Sequence, residues 1–153
     1  MPQTIVAAGG SGFVGREVVA RLASAGHRVI VPARRREAAR ALILLPTVDV
    51  VECDITDNAT LARLLRGADA MINLVGILDE SGRNTFARVH TGFARDAVAA
   101  CAGAGVQRYL HISAHDAAAD APSRDLRSKG EAEAIVAASP LAYTIFRPGV
   151  IFG

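Results

Sequence analysis

Residues 4–19, TIVAAGGSGFVGREVV, join an apolar strand through a glycine-rich turn to the beginning of a helix. In such a turn Gly9 can make the tight bend, Gly12 leaves space for an approaching ligand, and Gly15 lets the helix pack closely on the strand. The helix N-terminus presents unpaired N–H groups and partial positive charge to an anion. We therefore predict that this turn binds a pyrophosphate through Gly9, Gly10, Ser11, Gly12, Phe13, Val14 and Gly15.

The glycine spacing fits two dinucleotide-binding patterns at once. Gly10, Gly12 and Gly15 give G-x-G-x-x-G, whereas Gly9, Gly12 and Gly15 give G-x-x-G-x-x-G. Because the motif is short, a glycine-rich turn without any ligand remains the alternative. The choice depends on whether other parts of the chain converge on the same place.

The composition predicts one domain over residues 1–153. The sequence has 153 residues, of which 51% are hydrophobic and 21% charged, and this is enough to build a core. It contains no run of about 18 apolar residues, and no basic segment precedes the first strand. We expect neither a membrane span nor a signal peptide, and hence a cytoplasmic protein.

Charge and cysteine content predict neither a nucleic-acid partner nor a metal site. The net charge is +2, and the arginines are scattered apart from the run at 34–36. Cys53 falls in a strand pattern and Cys101 in a helix pattern, which is typical of small buried residues.

Strand and helix patterns alternate along the whole chain. This order predicts an α/β fold with a doubly wound parallel sheet, strand order 3-2-1-4-5-6 and helices on both faces. Its ligand crevice would lie beyond the carboxyl ends of strands 1 and 4. The predicted strands are 4–8, 27–31, 48–55, 69–76, 108–114 and 142–146, and the helices include 12–25, 58–65, 85–102 and 123–138.

Three arginines follow the second strand, where such a fold meets the adenosine ribose. An acidic residue there favours NAD, whereas a basic one accommodates the 2′-phosphate of NADP. No acid occurs between residues 32 and 36, so the sequence favours NADP(H) over NAD(H), with Arg34 as the first candidate and Arg35 as the second. The alternative is a solvated basic loop.

Other strand ends add candidates for the same crevice. Asp54, with Ile55 beside it, could accept from the adenine amino group or could equally cap a local turn. Gly76, after Val75, leaves room for a cofactor beside the fourth strand. On the long helix, Val89 and Phe93 belong to the core face, and His90 is interpreted as a packing or hydrogen-bonding residue rather than a ligand.

Three further blocks give the chain a family resemblance. HISA at 111–114, SRDLRSKGEAE at 123–133 and FRPGVIFG at 146–153, together with the glycine turn, resemble the extended and atypical short-chain dehydrogenases/reductases. More narrowly, they are similar to the NAD(P)-binding, dehydrogenase-like accessory subunit of complex I and its bacterial homologues. The resemblance implies a respiratory-complex or other protein partner, and a position peripheral to the inner face of the membrane through that partner.

The resemblance also implies catalytic candidates, namely Ser113, Asp125 and Lys129. In the family a Tyr-x-x-x-Lys pair works together, since the lysine binds the nicotinamide ribose and prepares the tyrosine to act as general acid. Here Lys129 matches the lysine, but Asp125 occupies the tyrosine position. A carboxylate beside an ammonium has no proton to donate at neutral pH, so ordinary tyrosine-dependent hydride transfer is not expected.

Family members continue beyond the Arg-Pro-Gly segment into a carboxyl-terminal substrate domain, which we expect this chain to lack, as a truncated or naturally short product. Three functions follow. The first is an NADP(H)-binding domain with weak or no dehydrogenase activity, in a structural or redox-sensing role. The alternatives are an active NADP-dependent reductase or epimerase/dehydratase-like enzyme, and an assembly subunit with a vestigial cofactor site.

Overall fold

The structure, a computed structural model, describes residues 1–153 and contains one six-stranded sheet. All neighbouring strands are parallel, and their order is β3-β2-β1-β4-β5-β6. The predicted doubly wound sheet and its strand order are therefore confirmed. The strands are β1 Thr4–Ala8, β2 Arg28–Ala33, β3 Val48–Glu52, β4 Ala70–Asn73, β5 Arg108–Ile112 and β6 Ala142–Phe146.

Five α-helices connect the strands. A 3₁₀ turn, Arg36–Ala39, leads into the second helix, and a π-helical turn, Ala87–Gly92, leads into the fourth. The helices are α1 Phe13–Ser24, α2 Arg40–Ile43, α3 Asn58–Leu65, α4 Phe93–Ala104 and α5 Arg124–Ala137.

Side chains of β1 alternate between two apolar layers. Val6 and Ala8 belong to a core of 13 buried residues that includes Leu61 of α3 and Phe93 of α4. Ala7 points into a second core of 9 buried residues together with Val19 of α1. Burial on both faces explains why β1 reads as an unbroken apolar run, and it confirms helices on both sides of the sheet.

The π-helical turn departs from the continuous helix predicted over 85–102. At this point His90 Nδ1 lies 2.9 Å from Ser128 Oγ, and Thr91 Oγ1 donates to the Ser128 carbonyl at 2.9 Å. The side chains of two consecutive residues thus contact α5. The wider π-helical turn permits this arrangement, which a regular helix would not predict.

Strands β3, β4 and β5 end earlier than predicted, and after β3 and β4 a side chain accepts a hydrogen bond from the backbone that leaves the strand. After β3, the Thr56 N–H donates to Asp54 Oδ1 at 2.9 Å, and after β4, the Val75 N–H donates to Asn73 Oδ1 at 3.0 Å. Helix α3 begins at residue 58 as predicted, and Asp57 caps it, because its Oδ2 accepts from the Thr60 N–H at 3.1 Å.

Ser123, at the start of the predicted helix 123–138, caps α5, because its Oγ accepts from the Leu126 N–H at 3.1 Å. None of the helices combines the length and the apolar content that a membrane crossing requires.

Candidate functional site

The turn of residues 9–15, called the phosphate turn below, requires glycine at two positions. Gly9 has φ +80°, and a Cβ there would lie 2.7 Å from the Leu74 carbonyl carbon. A Cβ on Gly15 would lie 2.2 Å from the Gly9 oxygen. A Cβ on Gly12 would meet only that same oxygen, at 3.3 Å, so Gly12 faces open space. Gly9, Gly12 and Gly15 therefore have the three properties that a nucleotide turn needs.

Backbone donors at the start of α1 are free. Within the phosphate turn the Gly10 and Gly12 N–H groups bond to Ala7 and Gly9 oxygens at 3.1 Å, and the Arg16 N–H bonds to the Gly12 oxygen at 3.0 Å. The Gly9 N–H and four N–H groups at the start of α1 have no backbone acceptor, and unpaired donors beside an open glycine fit a pyrophosphate. The four at the start of α1 belong to Ser11, Phe13, Val14 and Gly15.

A cleft of about 250 Å³ opens at the carboxyl edge of the sheet beside the phosphate turn. Six of the predicted cofactor residues line it, namely Gly9, Ser11, Arg34, Ile55, Val75 and Gly76. The remaining predicted residues do not line it: Gly10, Gly12, Phe13, Val14, Gly15, Arg35, Asp54, Ser113, Asp125 and Lys129.

A polar groove continues from this cleft and is called the arginine groove below. It is lined by Arg34, Asp54, Arg83, Asn84 and Arg88, with Glu52, Cys53 and Thr56. Neither Asn84 nor Arg88 was a sequence candidate. Both lie far along the chain from the phosphate turn, and the loop between β4 and α4 carries no motif that points to a cleft.

Asp54 takes the local role that the sequence left open. Its Oδ1 accepts from the Thr56 N–H at 2.9 Å and from Thr56 Oγ1 at 2.6 Å. These hydrogen bonds hold the pKa of the carboxyl below its usual range, and the guanidinium groups of Arg34 and Arg88 act in the same direction. Asp54 Oδ2 has no protein partner and remains available as an acceptor.

The sheet brings an unpredicted acid close to the arginine run. Glu52 of β3 lies opposite Ala33 of β2, and its Oε2 accepts from the Arg36 N–H at 3.0 Å. A search confined to residues 32–36 could not find it, because the contact comes from strand pairing rather than from chain proximity.

The α5 candidates form a compact ion pair. Lys129 Nζ lies 3.2 Å from Asp125 Oδ1 and 3.5 Å from Oδ2. The side chains of Lys129 and Asp125 are 21% and 30% exposed, so the pair is partly shielded from water. A carboxylate held in this way is an ion-pair partner rather than a proton donor.

His90 connects this pair to the loop after β4. Its Nε2 accepts from the Ile77 N–H at 3.1 Å, and its Nδ1 lies 2.9 Å from Ser128 Oγ and 3.5 Å from Asp125 Oδ1. Ser128 Oγ donates to the Asp125 carbonyl, so His90 Nδ1 carries the proton. Burial lowers the pKa of His90, as does nearby Lys129, and the ring is neutral at pH 7. Its interpretation as a hydrogen-bonding residue is confirmed.

Ser113 stands apart from the other catalytic candidates. The residue is 4% exposed, and its Oγ has no hydrogen-bond partner. Its N–H bonds to the Phe146 oxygen at 2.7 Å, in continuation of the β5–β6 pairing. No hydrogen bond joins it to Asp125 or Lys129.

Comparisons with known proteins give a consistent result. Residues 9–152 match the model of the NAD(P)H-binding family. The chain is 34% identical over 151 residues to NADH dehydrogenase [ubiquinone] 1 alpha subcomplex subunit 9 of Arabidopsis thaliana, covering 95% of this chain and 37% of that protein. It is 32% identical over 145 residues to a ceramide reductase of Caulobacter vibrioides, covering 95% of this chain and 45% of that protein.

The fold also has close counterparts among solved structures. A putative NAD-dependent epimerase/dehydratase from Bacillus halodurans superimposes with a TM-score of 0.84 at 22% identity, covering 96% of this chain and 70% of that chain. At this identity the likeness supports the Rossmann-like fold alone. The chain spans about two fifths of the length of the curated relatives it matches.

Proposed function

This chain belongs to the NAD(P)H-binding family, and on that premise we propose that it binds NADP(H) in preference to NAD(H), with little or no dehydrogenase activity of its own. The observation that carries the proposal is the phosphate turn, in which five unpaired N–H groups and the open side of Gly12 adjoin a cleft lined by Arg34. When bound, the dinucleotide supplies hydride chemistry at its nicotinamide ring.

The residues divide along the proposed nucleotide. The phosphate turn would hold the pyrophosphate, and Arg34, with Arg35 next to it, would take the 2′-phosphate. Asp54 has a free oxygen for the adenine amino group, and Val75 and Gly76 border the middle of the cleft. Lys129 would bind the nicotinamide ribose. All of these assignments remain proposals of ours.

The preference for NADP(H) rests on the balance of charge near Arg34. Both Arg34 and Arg35 are exposed and form no ion pair with any carboxylate. Glu52 opposes the preference, but it is engaged by the Arg36 N–H. Each charge-assisted contact to a phosphate is worth about 1.5–3 kcal/mol.

Calorimetric titration with NADPH and NADH tests the preference. We expect NADPH to bind at least about tenfold more tightly, and Arg34→Ala to remove most of that difference while it leaves NADH binding unchanged. Arg95→Ala is the matched control, since it removes one exposed charge outside the cleft. Equal affinities would refute the preference, and binding of neither nucleotide would favour an assembly subunit with a vestigial site.

We propose weak activity because Asp125, which occupies the position of the family's catalytic tyrosine, is ion-paired. Asp125 lies 3.2 Å from Lys129 and offers no proton to a substrate carbonyl. Loss of a positioned acid typically costs about 10²–10⁴-fold in rate. NADPH oxidation with small carbonyls and quinones should stay at background, and Asp125→Asn should leave it there.

One comparison favours a second candidate, an active NADP-dependent reductase, because a relative of 32% identity is named a ceramide reductase. This reductase reading predicts clear turnover that Asp125→Asn abolishes. Such a result would refute the non-catalytic proposal while it preserves the nucleotide site.

A protein partner of the respiratory-complex type is proposed from the names of several relatives alone. It would place the chain on the inner face of a membrane, by contact rather than by a span. Co-purification followed by identification of complex I subunits supports this proposal, and recovery of the chain without any of them contradicts it.

A further inference from the structure

We propose that Arg88 forms a second side of the 2′-phosphate subsite, so that the phosphate lies between the guanidinium groups of Arg88 and Arg34. This inference rests on the proposed function, because it refines the same nucleotide site. Arg88 would then be a specificity-determining residue supplied by the π-helical turn after β4 rather than by the strand end that usually reads the ribose.

Position is the first support. Arg34 follows β2 on one side of the site, whereas Arg88 belongs to the turn that leads into α4. Both side chains line the cleft beside the phosphate turn, and both line the arginine groove that continues from it. They are the only two cationic residues shared by both spaces, so they mark the passage between them.

Charge is the second support. Arg34, Arg83 and Arg88 line the arginine groove, and none of them forms an ion pair with a carboxylate. The two acids of the groove are engaged elsewhere, Asp54 by Thr56 and Glu52 by the Arg36 N–H. The three guanidinium groups outnumber the two carboxylates, so the groove keeps an excess of positive charge, which suits a phosphate.

Orientation is the third support. The Arg88 N–H donates to Thr85 Oγ1 at 3.1 Å, which fixes the start of the turn. Its Nη1 lies 3.4 Å from the Arg83 carbonyl oxygen, so one nitrogen is directed to the loop. The other guanidinium N–H groups have no protein acceptor and are available to a ligand.

The test uses two small nucleotides that lack the nicotinamide end. Adenosine 2′,5′-bisphosphate carries the 2′-phosphate and AMP does not, so their affinity ratio isolates this subsite. We expect Arg88→Gln to lower the affinity for the bisphosphate at least about tenfold and that for AMP less than about twofold. Arg95→Gln removes the same charge from an exposed site on α4 and should change neither.

Glu52→Gln should change the affinity ratio of bisphosphate to AMP in the opposite direction to Arg88→Gln. The amide oxygen can still accept from the Arg36 N–H, but the negative charge is gone, so the ratio of bisphosphate to AMP affinity should rise about threefold. Arg34→Gln combined with Arg88→Gln should lose little more than the worse single variant, because one phosphate is held by both.

The outcomes separate this inference from the proposed function. If the unmutated protein binds neither NADPH nor NADH, both are overturned. If it binds NADPH preferentially through Arg34, and Arg88→Gln weakens bisphosphate and AMP equally or not at all, only the role of Arg88 is overturned. Circular dichroism of each variant confirms that the fold is retained.

Discussion

The phosphate turn and the α5 pair are assigned to the same proposed ligand, but they are built in opposite ways. The phosphate turn leaves five N–H groups without backbone acceptors and has glycine at two positions where a side chain would clash. At α5 the charged groups are paired with each other, since Lys129 lies against Asp125 and His90 contacts both Ser128 and the Ile77 N–H. One region is open for a ligand, and the other is closed on itself.

On our proposal of nucleotide binding with little activity, this difference would explain how a nucleotide-binding domain loses chemistry without losing binding. The free N–H groups come from the backbone conformation of the turn, so most side-chain substitutions leave them in place. A catalytic acid depends on a single side chain, and one replacement by aspartate turns a proton donor into a counterion for Lys129. The two halves of a site of this kind can therefore change independently.

The largest expected effect breaks the phosphate turn itself. Gly15→Ala places a Cβ about 2.2 Å from the Gly9 oxygen, so the turn and α1 must separate. We expect a loss of on the order of 3–5 kcal/mol in the free energy of unfolding, measured by urea denaturation. Gly12→Ala is the control, because its Cβ meets one atom at 3.3 Å. Equal stability of the two variants would contradict the packing argument.

Low pH should destabilise the fold through two buried histidines, one on β5 and one that contacts α5, and not through the phosphate turn. Burial lowers the pKa of His111 from 6.5 to about 4, and it lowers that of His90 as well. Below pH 6.5 these histidines become protonated in the unfolded chain but stay neutral in the folded chain. The free energy of unfolding therefore falls as the pH drops toward 4. The His111 contribution is about 3 kcal/mol.

The measurement is urea denaturation at several values between pH 7 and pH 4. His111→Asn, which does not titrate, should remove most of the slope and leave the share that belongs to His90. A pH dependence unchanged by this substitution would show that other groups are responsible.

Gly12→Val sharpens the comparison by separating folding from binding. The side chain would project into the space assigned to the pyrophosphate, while Gly12 itself has φ −77°, which any residue can adopt. We expect at least about a hundredfold loss of NADPH affinity, or about 2.7 kcal/mol, with an unchanged circular dichroism spectrum. A folded variant with normal affinity would move the phosphate site elsewhere.

The smallest effect belongs to the α5 pair. Lys129→Ala should weaken NADPH binding only about threefold to tenfold, because the ammonium is already engaged by Asp125. In an Asp125→Asn background the same substitution should cost more, since the lysine is then free for a ribose hydroxyl. Identical losses in both backgrounds would mean that the two side chains do not compete.

Regular patterning made the sheet predictable, and contacts distant in sequence limited the prediction of the site. The apolar run of β1, the glycines after it and the alternation of elements specify the strand order locally. Glu52 and Arg88 reach the groove only through strand pairing and helix placement, which no short motif encodes. The π-helical turn was missed for the same reason, because it depends on contacts between residues 90–91 and Ser128.

The chain contains a single lysine, and its placement against Asp125 turns it into a chemical reporter. An amine-reactive reagent can modify only Lys129 and the N-terminus, and Met1 is fully exposed whereas the Lys129 side chain is 21% exposed. The Lys129 labelling rate, followed by mass spectrometry and compared with the rate in an Asp125→Asn variant, therefore reports the protection that the α5 ion pair gives. The same measurement in the presence of NADPH shows whether a nucleotide shields that amine.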